Sequence, residues 1–513
     1  MLDRRRFLTL TGLTALATAV PKLPISLRAG GEAMASGGAI PHEGLLRLTA
    51  TKVVRHIAEG SLSAETYAST LLAQAGRLGF LNAIISIDSD ALLEAARAVD
   101  VSRRQGQTLG RLAGLPLLVK DNIDTKDLPT TAGTPGLLSN RPSEDAPVLS
   151  PLFSEGALLF AKANLHELAG GPTGHNYYFG PGRNPYDPTM ISGGSSAGTG
   201  AGIAARLCPA GLGTDTVGSV RVPAALCGVA GLRPTKGLYP ISRIFPISHT
   251  CDTAGLMGRT VADVALLDSV ETGTALAQPA RLRGLRLGVP RNPFWQDLDP
   301  EVAAVMERAL RRLRALGVVL VEVDIPEVAT GQITNLIIRT FEANVDIPAY
   351  LAAEGTGFTF DDVERQIASP DVAATIALIR RNPIPEATYL NALNVARPQL
   401  QAFYASYFAT NGVAAMLFPT TVLPARPVGQ DDGVELNGRL VMTGVYGQNT
   451  GISAAAGIPG LTLPAGLTRS GLPVGMELDG PIGSDGVLLG IGLALEHSAF
   501  HPLRAPKPQP VTA

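Results

Sequence analysis

Lys120 closes the apolar run Leu115-Pro-Leu-Leu-Val119. Such a run, bounded by Gly114 and by charge, has the form of a strand covered on both faces, because a half-solvated strand alternates polar and apolar residues. A lysine at the end of that strand is badly solvated, and lost hydration disfavours the ammonium and draws its pKa down. Moving it from ~10.4 to ~7 takes about 4.6 kcal/mol, at about 1.36 kcal/mol per unit. Burial can supply that, and the result is a neutral amine able to take a proton near pH 7. Two glycine-rich serine clusters follow, Ser192-Gly-Gly-Ser-Ser-Ala-Gly198 and Gly213-Thr-Asp-Thr-Val-Gly-Ser-Val-Arg221. With Lys120 they offer a hydroxyl nucleophile, a second hydroxyl and an amine base, with no histidine required.

The rest of the chain reads as α/β. Leu158–Ala161, Leu285–Val289 and Val318–Val323 are further short apolar runs with the character of buried strands. Glu301–Leu316 between the last two is an amphipathic helix with Gly317 as its terminator, and strand–helix–strand order predicts parallel pairing. Residues 43–103 read as helices. Leu45, Leu46, Leu48, Val53, Val54 and Ile57 recur at helical spacing, Ser63 is placed to cap a second helix, and a third runs from Ser89 to Arg103. Leu461–Pro464 and Val474–Leu478 have the form of returning strands, while residues 328–430 form an irregular, helix-rich cap expected to supply the pocket walls.

A chain of 513 residues that is 45% hydrophobic and 17% charged can bury a large core, which excludes a disordered protein. A net charge of −2 gives no basic stripe for a nucleic-acid partner. Cys208, Cys227 and Cys251 make an odd count without Cys-x-x-Cys spacing, so neither a disulfide framework nor a metal site is expected.

The first residues read as an address. Arg4-Arg5 precede Phe7-Leu8 in a stretch, Phe7–Val20, that is short for a bilayer span of ~20 residues and has the proportions of a signal peptide. The pattern resembles a twin-arginine export signal, which carries folded proteins to the periplasm. Stable membrane insertion is not expected. Residues 1–35 form the signal, with cleavage after Ala19 or Ala35 both open; residues 36–505 form one domain, and 506–513 a flexible tail. Without a working signal the protein would stay cytoplasmic.

Several chemistries compete for the serine clusters. Gly194-Ser-Ser-Ala-Gly198 satisfies Gly-x-Ser-x-Gly with Ser196 central, but a nucleophile elbow needs a strand before it, and Asn184–Met190 reads as a loop. No Gly-Lys-[Ser/Thr] follows either cluster, which argues against a phosphate loop. Pro234-Thr-Lys-Gly237 lacks the Ser-Asp-Asn companion of a penicillin-binding site.

Taken together, Pro116-Leu-Leu-Val-Lys-Asp-Asn-Ile123, Thr130-Thr-Ala-Gly-Thr134, Gly193-Gly-Ser-Ser196, Gly213-Thr-Asp-Thr216 and Ala230-Gly-Leu-Arg-Pro-Thr235 resemble the amidase signature family over about residues 45–500. Within it the chain looks most like the indoleacetamide and mandelamide hydrolases. The resemblance implies a single amidase domain, a large mixed central β-sheet flanked by helices on both faces, and a serine amidohydrolase that needs no cofactor. It implies Lys120 as base, Ser195 as a bridging serine after a cis peptide, and Ser219 as the nucleophile that carries the acyl group. The backbone of Thr216, Val217, Gly218 and Ser219 would form the oxyanion hole, with Ser196, Asp215 and Arg221 in support. Thr131, Ala169, Gly170 and Gly171 would border a small or aryl-substituted amide, released as acid plus ammonia or amine.

One position departs from the family pattern: Val217 stands where a glycine is usual. A positive φ there would strain a β-branched residue and weaken the oxyanion hole. Other readings keep the same triad but place it in an esterase, an anilide or carbamate hydrolase, an amidotransferase-like subunit, or a catalytically weakened binding protein. Both a monomer and a homodimer are compatible with the sequence.

Overall fold

The computed structural model describes residues 42–511. The signal segment, with Arg4, Arg5, Ala19 and Ala35, lies outside the described residues. Thirteen strands run in chain order: β1 Ile84–Ser86, β2 Pro116–Lys120, β3 Leu158–Ala163, β4 Ala210–Asp215, β5 Ala230–Arg233, β6 Thr253–Gly258, β7 Arg286–Gly288, β8 Val319–Val321, β9 Ala415–Pro419, β10 Val434–Leu436, β11 Arg439–Val441, β12 Gly460–Leu467 and β13 Pro473–Asp479. Eleven of them form one sheet in the order β1-β3-β2-β4-β6-β5-β12-β13-β9-β7-β8, and β10 and β11 form a separate hairpin.

The sheet is mixed. β2 pairs in parallel with β3 and β4, and β7 with β8 and β9, whereas β4, β6, β5, β12, β13 and β9 pair antiparallel in succession. Helices cover both faces. Leu461 packs against Gly492 of the helix Asp485–Ser498, while its neighbour Thr462 points to the other side and donates to Glu477, which holds Arg221 of the helix Arg221–Cys227. β2, β4, β6 and β13 are buried along their whole length, as expected of strands sandwiched between helices.

The N-terminal helices form where local chemistry directs them. Ser63 accepts the Thr66 N–H at the start of Ala64–Arg77 and donates to Asp100 of the helix Ser89–Arg104. The first apolar stripe divides in two: a turn His42–Leu45, then Ala50–Glu59, restarted by Thr49, which accepts the Lys52 N–H. Pro300–Ala315 runs between β7 and β8, and Gly317 follows it at φ +82°.

Residues 331–411 are mainly helical, led by Gly331–Ala353 and ending with Arg397–Asn411. The helical stretch stops there. Ala415-Met-Leu-Phe-Pro419 is fully buried and forms β9, between β13 and β7 of the main sheet. This five-residue apolar run is a buried strand, although it falls inside the segment whose helical character dominates the sequence pattern. No helix among the described residues is long and apolar enough to cross a membrane, and the three cysteines are buried and unpaired.

Candidate active site

Lys120 ends β2, and Thr214 and Asp215 end the adjacent parallel β4, so the residues meet at the carboxyl edge of the sheet, where α/β folds place their sites. The Lys120 side chain is wholly buried, with Nζ 2.7 Å from Ser195 Oγ and 2.7 Å from Thr214 Oγ1. Burial pushes the amine pKa down from the ordinary lysine value to about 7, against the opposing pull of Asp215 and Asp252. Asn122 Nδ2 donates to Thr214 Oγ1 at 3.1 Å and to the Phe245 carbonyl at 3.3 Å, which fixes the threonine hydroxyl beside the amine.

The two serine clusters come together here. Ser195 is buried after a cis Gly194–Ser195 peptide, and its carbonyl accepts the His166 N–H at 3.1 Å. Ser196 N–H donates to the Ser219 carbonyl at 3.1 Å, clipping one cluster to the other. The Ser196 hydroxyl is buried against β4, 3.4 Å from both Thr214 N and Thr214 O, which is not the exposed position an elbow nucleophile requires. Ser219 is partly exposed in the turn between β4 and Arg221–Cys227.

That turn, Thr216-Val-Gly-Ser219, is clamped from outside. Thr216 Oγ1 donates to Asp252 Oδ1 at 2.6 Å, and the Thr216 carbonyl accepts from Asn335 Nδ2 at 3.2 Å. Gly218 has φ +154°, and a Cβ there would lie 2.1 Å from Thr450 Oγ1, so no side chain fits. Val217 is not among the residues with positive φ. Its Cγ1 lies 3.0 Å and 2.8 Å from where a Cβ would stand at Gly447 and Gly451, so two glycines make room for it.

Asp215 anchors the turn from below. Its carboxylate meets Arg221 Nε at 3.0 Å and Arg233 Nη1 at 3.1 Å, all three side chains fully buried. Burial pushes the Asp215 carboxyl up, but the two guanidiniums outweigh it and hold the pKa at about 2. Burial opposes the charge on Arg221 too, yet Asp215 and Glu477 raise its pKa above the ordinary value. Arg233, whose carboxylate partner is Asp215, stays below the ordinary value because desolvation prevails.

The residues expected to border the substrate divide. Ala169 lines a small cavity with Asn122, Thr214, Thr216, Phe245 and Asp252. Its apolar wall comes from Ile244, Phe245 and Ile247 rather than from residues 328–430. Gly170 is exposed, and Gly171 abuts the His166 ring, where a Cβ would lie 2.3 Å from Cε1. Thr131 is buried, with its hydroxyl donating to Asp121, which also pairs with Lys162 at 3.2 Å. Its polar group is thus committed to the protein.

Sequence reasoning passed over Thr214, Asn122 and Arg233, although all three stand inside the quoted motifs; for Thr214 and Asn122 the available signal was nearness to Asp215 and Lys120, and for Arg233 it was its place in Ala230–Thr235. It had no signal for Asn335 or Glu477, which arrive from distant segments. One group of metal-ligand type, His249, Glu342 and Asp346, also forms among the described residues. Its imidazole spans two carboxylates, with Nε2 3.2 Å from Glu342 and Nδ1 3.0 Å from Asp346, and so it ties the 248–252 loop to Gly331–Ala353.

Comparison with known proteins agrees with this architecture. The Amidase family model matches residues 71–489. An indoleacetamide hydrolase from Agrobacterium vitis is 45% identical over 431 residues, covering 83% of this chain and 92% of that protein. A mandelamide hydrolase from Pseudomonas putida is 36% identical over 474 residues, covering 88% and 92%. The crystal structure of a peptide amidase from Stenotrophomonas maltophilia superposes with a TM-score of 0.79 at 28% identity, covering 90% of this chain and 98% of that one. The chain therefore belongs to the amidase family, whose reaction is the hydrolysis of carbon–nitrogen amide bonds.

Proposed function

We propose that this amidase hydrolyses a small, aryl-substituted carboxylic amide to its acid and ammonia or amine, through an acyl-enzyme on Ser219. The observation that carries the reading is the buried Lys120 amine, with its pKa at about 7 and Ser195 Oγ 2.7 Å away. The neutral amine takes the Ser195 proton as Ser195 takes that of Ser219, and the Ser219 oxygen attacks the amide carbon. Backbone N–H groups of the turn Thr216–Ser219 receive the developing oxyanion; a well-aimed donor of this type is worth about 2.7–4 kcal/mol. The proton returns along the same path to the leaving nitrogen. Water then repeats the attack and frees the acid. The indoleacetamide and mandelamide hydrolases among its relatives favour an arylacetamide as substrate.

The decisive experiment combines ammonia release from indole-3-acetamide and phenylacetamide with fluorophosphonate labelling. Label on Ser219, lost in Ser219→Ala and strongly slowed in Lys120→Ala, supports the mechanism. Label on Ser196, or full turnover by Ser219→Ala, overturns it. Arg4-Arg5 and the apolar stretch after them support a further reading, that the enzyme is exported to the periplasm.

A further inference from the structure

Glu477 and Asp479 stand two residues apart on β13, so both side chains leave the same face of the sheet. On the neighbouring β12 they pair with Thr462 and Gly460. A Cβ at Gly460 would lie 2.6 Å from Asp479 Oδ1, 2.6 Å from Glu477 Oε1 and 3.2 Å from Arg221 Cδ. The two carboxyls and the arginine therefore converge over a residue that has no side chain. Tyr404, from Arg397–Asn411, is the further titratable group beside Asp479, and burial holds its phenol pKa well above the ordinary value.

Arg221, Arg233, Asp215, Glu477 and Asp479 are all fully buried, so three carboxyls share two guanidiniums. With every group ionised the cluster would keep one uncompensated negative charge away from water, and a buried charge of that kind takes up a proton instead. Hydrogen bonds decide where the proton goes. Asp215 accepts from both guanidiniums. Glu477 accepts Arg221 Nη1 at 3.2 Å through Oε1 and the Thr462 hydroxyl through Oε2. Among the described residues no group donates to either oxygen of Asp479. Donors favour the ionised form of a carboxyl, and Asp479 is the one without them. Burial raises its pKa well above the carboxylate range; Glu477 adds to the rise and Arg221 opposes it.

We infer that Asp479 is a positioning residue that stays protonated at neutral pH and donates a hydrogen bond to Glu477, so that one proton balances the charge beneath the active-site turn. Glu477 is thereby fixed on Arg221, and Arg221 on Asp215. Asp215 in turn accepts the Val220 N–H at 3.2 Å, directly after Ser219. The chain of contacts runs from the carboxyl pair to the residue beside the proposed nucleophile.

The test is infrared spectroscopy of the full-length enzyme with isotope-labelled aspartate. At pH 7 it should show carboxylic-acid C=O intensity from aspartate, part of which is lost in Asp479→Asn. Glu477→Gln should lose the same part, because Arg221 then takes Asp479 as its counter-ion. Undiminished intensity in either variant overturns the inference, so one folded variant is enough to decide. Urea unfolding gives a second readout. Asp479 ionises above about 3.8 in the unfolded chain and keeps its proton in the folded one. Relative to Asp479→Asn, the unfolding equilibrium of the parent should thus rise roughly tenfold per pH unit between pH 5 and pH 7. A gap that does not change with pH refutes the protonated state. Turnover then tests the positioning. Asp479→Ala should lower kcat on phenylacetamide by about tenfold with KM little changed, and Asp479→Asn, whose amide still donates, should recover most of it. Equal kcat in the two variants refutes that role. The spectra and the urea gap need no turnover, so they decide the protonation of the pair whether or not the proposed amide is the substrate.

Discussion

Thr214 Oγ1 lies as close to the Lys120 amine as Ser195 Oγ does, 2.7 Å in each case. A neutral amine has one lone pair and two N–H bonds. If an N–H is directed to Thr214, the lone pair is free to face Ser195. Thr214→Val keeps the shape and removes that acceptor. It should lower kcat/KM by about tenfold or more, given about 1–3 kcal/mol for an unmatched buried donor. Because Thr214 also favours the ammonium by accepting from it, the acid limb of the pH–kcat/KM profile should move to lower pH. A smaller rate with an unmoved limb would mean that Thr214 only fills space.

With the folded amine titrating at about 7 against an unfolded value of 10.5, the unfolded chain binds more protons between those two pH values. Stability therefore rises with pH across that window. Below about 7 the cost of burying Lys120 is fully present. Lys120→Met should abolish turnover and yet stabilise the protein at pH 7, by up to roughly 4 kcal/mol at about 1.36 kcal/mol per unit. The gain should shrink as pH approaches 10.5. Urea unfolding at pH 7 and pH 10 reads this directly, and equal stabilities of variant and parent at pH 7 would contradict a strongly depressed amine.

The contrast between Lys120 and β9 shows what was legible. An apolar run that ends in lysine announces both a buried strand and a perturbed amine, because hydration and periodicity act on neighbouring residues. Ala415–Pro419 is just as apolar and just as buried. It was masked by the helical pattern on its N-terminal side and by the absence of a chemical group to mark its end. The site divides in the same way. Lys120 stands in an apolar motif, and Ser195 and Ser219 in glycine-rich ones, whose resemblance to a known family assigns them roles. Asn335 and Glu477 reach the site only through tertiary packing, from segments far along the chain, so no local spacing discloses them.

Val217 was the residue whose conformation mattered most, since a positive φ there would have strained the oxyanion turn. Its φ is not positive, and its side chain fills space left by Gly447 and Gly451. Val217→Gly should therefore not raise turnover. It should destabilise the protein by about 1–2 kcal/mol, as expected for removing packed methyl groups. Thermal unfolding together with kcat on phenylacetamide decides the matter, and faster turnover in the variant would show that valine does impair the turn.

Export can be tested independently of catalysis. Replacing Arg4 and Arg5 by lysine keeps the charge of the segment but removes the twin-arginine pair. In a bacterial host the precursor should then accumulate in the cytoplasm while the parent reaches the periplasm. Periplasmic recovery of the double variant, measured by cell fractionation and blotting, would defeat the export reading.

Asp215 carries two guanidiniums, but they depend on it unequally. Arg221 also pairs with Glu477 at 3.2 Å, whereas the carboxylate partner of Arg233 is Asp215. Asp215→Asn should thus leave Arg233 as the uncompensated buried charge, at a cost of about 3–5 kcal/mol. Adding Arg233→Met should recover part of that loss, a non-additivity that a simple packing defect would not show. The parent should also carry an acid signature. The folded Asp215 carboxyl titrates at about 2 against an ordinary 3.8, so its stabilisation is complete above 3.8 and is lost as pH falls toward 2. Unfolding free energies of the two enzymes should therefore converge in that interval. Curves that stay parallel down to pH 2 would place the acid sensitivity elsewhere.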